Sequence, residues 1–524
     1  MSHKSFYLAM FLVLACCFLL PQQASEYPDI ILRGALVVDG TGLPGVQRDV
    51  ALRGDRILTI GVGLKAGPNT EVIDVSGLIL APGFIDLHTH SDEDIILAKT
   101  RANLNYLTQG VTTIVTGNCG FGPVDVKEYY GKINKYKAGS NVCHLMPHNA
   151  LRREVMGNVN RAPTAAEQRR MNELMELGMQ QGAWGLSTGL FYVPGSYAAL
   201  EELTELANIA SRYRGIYASH IRDEGEGLFP AVEEALTIGQ ICKIPVHISH
   251  LKSSGRAYWG NAGSLLSRLK QVRQQGQPVT ADQYPYSASS TSLQATVIPP
   301  KYREGTQQEM VARFHDPLVG QAMREAVRQR IRECKDGSDI RIARYAPKPA
   351  WQGKDLATIA RQEGRDPLSI VLEIETRGGA QIIHFSMSDE DMRLISREEF
   401  VATASDGGAK IPDDSMPHPR NYGTFARKIG RFAIEEKRFS LEQAVRSATG
   451  LPADILQLKE RGYLKPDYYA DLVLFDPDEF RDRSTFDAPH TYSTGVVYLF
   501  VNGKKVIDKS KFTGTLAGVA LKRQ

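Results

Sequence analysis

The feature of this sequence that most constrains its fold is a long alternation of short apolar runs with helical patterns, from residue 83 to residue 449. Strands that alternate with helices in this way form parallel βαβ units. The chain offers nine strand candidates: residues 84–90, 111–116, 142–146, 184–187, 216–220, 245–250, 279–283, 382–385 and 401–406. A closed (β/α)8 barrel needs eight strands. Residues 382–385 lie close before the next candidate and are taken as the extra one, so the pattern predicts a TIM-type α/β barrel.

Both ends of the chain are rich in strand and turn patterns instead. Residues 30–80 contain short strands separated by turns, and residues 471–475 and 496–501 look the same. Neither segment can bury both of its faces alone. We therefore predict a small β-sandwich built from residues 26–81 and 462–524, beside a barrel domain at residues 82–461. Residues 294–348, rich in charge and helix formers, are long for one loop and predict an insertion late in the barrel.

The first residues have the layout of a secretory signal. Lys4 precedes an apolar run at residues 6–20, and polar and small residues follow it. The run is shorter than the roughly 20 residues that span a bilayer. We predict that residues 1–25 are a signal peptide, that the protein is exported to the periplasm or secreted, and that no stable membrane span is left after their removal. A lipid-modified Cys16 or Cys17 and an uncleaved anchor are the alternatives.

Charge and cysteine content exclude several classes of protein. The 62 Lys and Arg against 59 Asp and Glu give a formal net charge of +3, and no polybasic run is present, so nucleic acid is not an expected partner. After the apolar run the cysteines are far apart and show no paired spacing, which argues against a disulfide scaffold but leaves a single bridge open. The oligomeric state is not predicted.

Two histidines end the first strand candidate, and a cysteine follows the second. His88 and His90 are two residues apart, so an extended strand places both imidazoles on one face, which suits joint coordination of a metal. Cys119 lies between glycines, and a thiolate there would bind zinc well. Taken singly, such a pair and such a cysteine are more often structural.

Further chemistry lies at the ends of later strand candidates. His220 and His250 each end one, and active sites of α/β barrels gather at the C-terminal ends of their strands. Strand alternation separates His247 from His250 and predicts that it faces the helical layer as a structural histidine. Asp406 ends the last candidate before two glycines; it is either a turn residue or a proton carrier between water and a leaving amine.

Taken together, these motifs resemble the amidohydrolase superfamily and, within it, the N-acyl-D-amino-acid deacylases (D-aminoacylases). The stretch Ala81-Pro-Gly-Phe-Ile-Asp-Leu-His-Thr-His90 is similar to the first-strand signature of the superfamily. The motifs similar to the deacylase subgroup are Gly117-Asn-Cys-Gly120, Gly185-Leu-Ser-Thr-Gly-Leu-Phe-Tyr192, Ser219-His-Ile-Arg222, Ser249-His-Leu-Lys252, Asp282-Gln-Tyr-Pro-Tyr286, Ser405-Asp-Gly407 and His418-Pro-Arg-Asn-Tyr-Gly-Thr-Phe425. They occur in this order over nearly the whole chain after the signal.

The resemblance implies a set of roles for these residues. Zinc would be held tightly by Cys119, His220 and His250, and a second, weaker metal site would use His88 and His90 and share Cys119. The catalytic residues would be Asp406, as general base and then general acid, and Tyr192, which would polarise the scissile carbonyl. The residues that grip the α-carboxylate of the substrate would be Lys252, Tyr284 and Arg420; the choice between Tyr284 and Tyr286 stays open.

The implied activity is zinc-dependent hydrolysis of the linear amide of an N-acyl-D-amino acid, a small-molecule substrate. The alternatives are a D-dipeptidase, a cyclic-amide hydrolase such as a hydantoinase or dihydroorotase, and a non-catalytic scaffold on the same fold. The D preference follows from the resemblance alone.

The side-chain preference is predicted from charge. Residues 287–299, which follow the Asp282 motif and leave the barrel mouth, contain no Lys or Arg. A buried acidic side chain needs a cationic partner. Unless Lys301, Arg303, Lys348 or another loop supplies that cation, neutral or apolar N-acyl-D-amino acids are expected to be better substrates than the D-Asp and D-Glu derivatives.

Overall fold

The computed structural model describes residues 27–523, so the predicted signal peptide lies outside the described residues. Its centre is a barrel of parallel strands. The barrel strands are Phe84–Asp86, Val111–Thr116, Asn141–His144 with its continuation Met146–Pro147, Gly185–Gly189, Ile216–His220, Val246–Ile248, Val279–Gln283 and Val401–Thr403. Each strand pairs in parallel with the next one in this order.

Backbone contacts beyond the strand ends close the barrel. Thr89 and Gly407 form a parallel bridge between the first and the last strand. The amide of Asp406 donates to the carbonyl of His88 at 2.9 Å, and the amide of His90 donates to that of Gly407 at 2.6 Å. The eight-stranded (β/α)8 barrel predicted from the alternation is therefore confirmed, and the residues that close it include three of the predicted site residues.

Helices surround the barrel and pack on the outward-facing side chains of its strands. They are Leu104–Leu107, Val126–Tyr136, His148–Met156, Ala165–Gln180, Leu200–Arg212, Leu228–Cys242, Ala262–Gln274, Asp389–Ile395, Arg420–Ala426, Leu441–Ala448 and Gly450–Leu456, with a π-helical segment at Arg427–Glu435. In the strand Val279–Gln283, Val279 and Ala281 belong to the helix-packed core. Alternation therefore turns Asp282 into the barrel.

The surplus strand candidate lies outside the barrel. Gln381–His384 pairs with Ser289–Ser292 and Ile340–Arg344 in a separate antiparallel sheet. Helices pack on this sheet around their own hydrophobic core: Leu293–Val297, Gln307–Arg313, Gly320–Glu333, Leu356–Glu363 and Pro367–Thr376. The insertion is longer than the predicted residues 294–348. The prediction ended too early because the helices after residue 348 are also amphipathic and have the same sequence pattern as the barrel helices.

The two ends of the described chain share one sheet. Its nine strands are Ile30–Val37, Val46–Arg53, Arg56–Gly61, Glu71–Asp74, Ile79–Pro82, Leu472–Phe475, Val496–Val501, Lys504–Asp508 and Lys511–Phe512. Ile79–Pro82 and Leu472–Phe475 pair antiparallel and so join the two ends. Leu472 and Leu474 enter a core cluster of this sheet, whereas Val473 and Phe475 pack into the barrel core. The alternation thus fastens the small domain to the barrel.

Within residues 27–523, no helix is both long and apolar enough to cross a bilayer.

Candidate metal centre

The predicted metal ligands converge at one end of the barrel, where the strands finish. His220 is the last residue of its strand, and Cys119 and His250 lie just beyond theirs. The thiol of Cys119 lies 3.3 Å from Nε2 of His88, 3.5 Å from Nδ1 of His220 and 3.7 Å from Nε2 of His250. These four residues are buried, and His90, the fifth predicted ligand, is half-buried.

The ligand atoms fall into overlapping groups. Cys119, His220 and His250 form one group whose ligand atoms all lie within 4.8 Å of one another, and His88, His90 and Cys119 form another. A third group, His88, His250 and Asp406, shares His250 with the first group and His88 with the second. The geometry therefore brings together two neighbouring ligand groups that could each hold a metal ion and that share the cysteine, which is the arrangement that the resemblance implies.

The chemistry of these donors fits zinc. One sulfur and several imidazole nitrogens are the ligands that Zn²⁺ takes in proteins. Burial raises the pKa of the Cys119 thiol well above its usual value, and the nearby carboxylates of Asp406 and Asp282 raise it further. The thiolate form thus needs a cation beside it, and metal coordination deprotonates a thiol outright.

Three site residues adopt the left-handed backbone conformation that side chains usually avoid. The φ angles are +52° at Cys119, +37° at His250 and +49° at Asp406. Such conformations cost on the order of 1–3 kcal/mol each and persist where the surroundings hold them. Here the side chain of Asn118 donates to the carbonyls of Leu87 and Val115 at 3.2 and 3.0 Å and holds the Cys119 turn.

Asp282 connects three histidines, although the sequence analysis gave it no role. One carboxylate oxygen lies 3.3 Å from Nδ1 of His88 and 2.8 Å from Nε2 of His247. The other accepts from the backbone amide of His250 at 2.8 Å. By bonding Nδ1 of His88, Asp282 leaves the opposite nitrogen free for a metal.

The predicted orientation of His247 was wrong. Its ring lies between Asp282 and the hydroxyl of Thr280, at 2.8 and 2.9 Å, so it points into the barrel rather than toward the helices. The error arises at His250, whose left-handed conformation ends the period of two, so that residues 247 and 250 need not face opposite sides. Both ring nitrogens of His247 are hydrogen-bonded, as expected of a structural histidine.

Glu224 is a second residue that sequence reasoning missed. Its Oε1 lies 2.5 Å from Nζ of Lys252, 3.1 Å from Nδ1 of His250 and 3.8 Å from Nε2 of His220. Burial would raise the pKa of Glu224, but the charge of Lys252 and the two histidines outweigh it and lower the pKa. The signal that could have revealed it is its position, four residues after a strand-ending histidine.

Asp406 lies between the histidine pair and a guanidinium. Its Oδ1 is 3.0 Å from Nε2 of His90 and 3.6 Å from Nε2 of His88, and its Oδ2 is 2.8 Å from Arg420. Burial would raise its pKa, but Arg420, His88 and the hydrogen bond from His90 hold the pKa well below its usual value. Asp406 is therefore a carboxylate at neutral pH.

The predicted substrate-binding residues surround one aromatic ring. The guanidinium of Arg420 lies 4.6 Å from the centre of the Tyr284 ring, and Nζ of Lys252 lies 5.9 Å from it. Tyr286 instead lies against Arg427, at 4.7 Å. Of the two tyrosines that the sequence left open, Tyr284 is thus the one beside both cations.

Tyr192 borders the metal ligands from another side. Its ring packs edge-on against His220 with centroids 4.8 Å apart, and its hydroxyl lies 3.0 Å from that of Thr291.

The cysteines at positions 143, 242 and 334 are buried and free, so no disulfide forms among the described residues.

Gly189 permits the close approach of the cysteine turn to its neighbouring strand. A Cβ at this position would lie 2.0 Å from the backbone oxygen of Cys119, closer than atoms can approach. We expect Gly189→Ala to displace the Cys119 turn and to lower zinc affinity at least about tenfold, as displaced supporting groups commonly do. Competition with a zinc chelator measures the change. Gly131→Ala is the matched control, because a Cβ there meets nothing within 4 Å; equal zinc affinity in both variants would contradict the prediction.

Comparison with known proteins is consistent with this geometry. A sequence model of the amidohydrolase family matches residues 71–218 and 302–507. The D-aminoacylase of Alcaligenes xylosoxydans xylosoxydans is 36% identical over 525 residues, which cover 96% of this chain and 99% of that protein.

Two solved structures add information on metals. The N-acyl-D-glutamate deacylase of Bordetella bronchiseptica, complexed with zinc and a phosphonate that mimics the tetrahedral intermediate, is 33% identical with a TM-score of 0.82 and covers 95% of this chain and 100% of that chain. Another solved structure is that of a D-aminoacylase whose binuclear metal centre shows one-metal activation and second-metal attenuation. It is 34% identical with a TM-score of 0.81, and the match covers 94% of this chain and 100% of that chain.

Proposed function

This chain belongs to the amidohydrolase family, and from that premise we propose that it is a zinc-dependent deacylase that hydrolyses the linear amide of N-acyl-D-amino acids to a carboxylate and a free D-amino acid. The observation that carries the proposal is the convergence of Cys119, His220 and His250 beside the carboxylate of Asp406. Zinc is the cofactor, with one tight site at these three ligands and a weaker site at His88 and His90.

The residues of this chain divide the chemistry among them. When bound, zinc supplies a Lewis acid that lowers the pKa of water to about 7 and polarises a carbonyl oxygen. Asp406 accepts the proton of the attacking water and then donates it to the departing nitrogen. The hydroxyl of Tyr192 donates to the oxygen on which negative charge develops.

The cations orient the substrate. Arg420 and Lys252, which both lie near the ring of Tyr284, bind the α-carboxylate and place the amide against Asp406. Arg420 already contacts Asp406, and its five N–H groups can serve a second carboxylate as well. Glu224 lies 2.5 Å from Nζ of Lys252 and so fixes the position of this cation.

Export remains part of the proposal. The charged and apolar residues before Pro21 support a cleaved signal, and we propose that the mature enzyme works in the periplasm or is secreted. N-terminal sequencing of the protein recovered outside the cytoplasm tests it; an intact Met1 on cytoplasmic protein would contradict it.

A substrate panel tests the activity. We expect the zinc-loaded enzyme to hydrolyse N-acetyl-D-amino acids, to lose activity on zinc removal and to regain it on zinc addition. Three further sets of compounds separate the alternatives. N-acetyl-L-amino acids test the stereochemical preference, cyclic ureides test a cyclic-amide hydrolase, and D-dipeptides test a D-dipeptidase. Hydrolysis of ureides or dipeptides in preference to every N-acyl-D-amino acid would overturn the assignment, and absence of any turnover would favour a scaffold.

A further inference from the structure

A polar cavity of about 220 Å³ adjoins the metal centre on the far side of Tyr192. Tyr192 contributes to its wall and contacts His220 as well, so one side chain borders both spaces. None of the residues that we assign to the α-carboxylate lines this cavity. The cavity is therefore separate from the predicted α-carboxylate site.

The charge of the cavity wall is one-sided. Its lining includes two arginines, Arg153 and Arg303, and no carboxylate. Ser292, Gln294 and Gln307 add further hydrogen-bonding groups. A wall of this kind suits a ligand that is rich in acceptors and negatively charged.

The buried guanidinium of Arg303 lacks a carboxylate partner among the described residues. It is only 7% exposed, and one of its terminal nitrogens donates to the backbone carbonyl of Phe191 at 3.3 Å. Its Nε has no hydrogen-bond partner in the described structure. Among residues 27–523 no carboxylate lies within 4.0 Å of its guanidinium. A buried charge left this incompletely paired is costly.

The surroundings do not neutralise Arg303. Burial lowers its pKa to about 10, which still leaves it charged at neutral pH. The nearby Glu375 is buried, and burial raises its pKa to about 7, so it is an incomplete counter-charge. One oxygen of Glu375 accepts from Gln307 at 2.8 Å, and the other has no partner in the described structure.

We propose that this cavity binds a carboxylate carried by the substrate in addition to its α-carboxylate, and that Arg303 is the residue that selects for it. The inference rests on the proposed deacylase function and names its substrate class. It also reverses the preference expected from residues 287–299: Arg303, in the loop after that segment, supplies the cation that the segment lacks. The second carboxylate belongs either to an acidic side chain of the D-amino acid or to a dicarboxylic acyl group.

Two matched pairs of substrates test the proposal and separate these sources. N-acetyl-D-glutamate is compared with the neutral N-acetyl-D-glutamine, and N-glutaryl-D-leucine with the neutral N-hexanoyl-D-leucine. In one pair we expect kcat/KM to favour the charged member at least about tenfold, and we expect Arg303→Gln to lower that ratio about 100-fold, as loss of a buried charge partner does. The pair that responds identifies the source.

The controls keep a negative result informative. Arg328→Gln removes a charge from the exposed surface of the same insertion and should leave both ratios unchanged. Arg303→Lys keeps a positive charge and should retain part of the preference if Arg303→Gln fails to fold. Equal kcat/KM within both pairs, or the same ratios in Arg303→Gln as in wild type, would overturn the proposal. If no substrate is turned over, the deacylase function itself fails; calorimetric titration with glutarate then tests the cavity, which should bind it more weakly in Arg303→Gln.

Discussion

Cys119→Ala is expected to yield a folded protein that neither holds zinc tightly nor hydrolyses any substrate. The thiol of Cys119 lies within 3.7 Å of a nitrogen of each of three histidines. It is the ligand that the two candidate metal groups share. Its removal therefore affects both sites at once. Elemental analysis of the purified variant, together with turnover of N-acetyl-D-amino acids, measures the result.

The other ligands should separate the two sites. His220→Ala and His250→Ala are expected to behave like Cys119→Ala, whereas His88→Ala should change the tight zinc less. Cys242→Ala is the matched control, because Cys242 is buried and free but lies on a barrel helix away from the cluster. A Cys119→Ala protein with full zinc content and full turnover would refute the metal assignment.

The barrel was predictable because its signals are local. Alternating strand and helix patterns carry the period of each element, and the runs at 111–116, 216–220 and 279–283 coincide with observed strands. Gln381–His384 has the same local pattern but belongs to the insertion, which only its pairing with Ser289–Ser292 and Ile340–Arg344 reveals. Strand pairing depends on contacts distant in sequence, so the extent of the insertion could not be read from the pattern.

The same distinction explains the site. Cys119, His220 and His250 were predicted because each follows an apolar run and belongs to a motif with a known resemblance. Their supporting charges are different: apart from the contact of Glu224 with His220, Glu224 and Asp282 act through contacts 26–194 residues away in sequence, as the Asp282–His88 pair shows. The left-handed conformations at the strand ends also escape a period-of-two argument, and for that reason His247 was assigned to the wrong face.

Arg303 illustrates the limit of reasoning from a segment. Residues 287–299 carry no cation, and this composition alone favours neutral substrates. The fold brings Arg303 from the next turn into the same cavity as Ser292 and Gln294. A pocket's charge is thus a property of the packed structure rather than of any one loop.

Asp406→Asn is expected to retain zinc and substrate binding while losing about 100- to 10,000-fold in kcat, the range typical of general acid–base groups. The amide has nearly the shape of the carboxylate and can still accept a hydrogen bond from Arg420, which contacts Asp406 at 2.8 Å. It cannot, however, take a proton from water and return it to the leaving nitrogen. Zinc content, KM and kcat measured on one preparation separate these effects.

The control for this substitution is Asp413→Asn, which makes the same chemical change on a half-exposed side chain of the loop that follows Asp406. It should leave kcat close to that of the wild type. Because the backbone amide of Asp406 also helps to close the barrel by donating a hydrogen bond to the carbonyl of His88, circular dichroism and zinc content must show that the variant is intact. A folded, zinc-loaded Asp406→Asn enzyme that turns over at the wild-type rate would show that another group carries the proton, and Glu224, beside His220 and His250, would then be the next residue to replace.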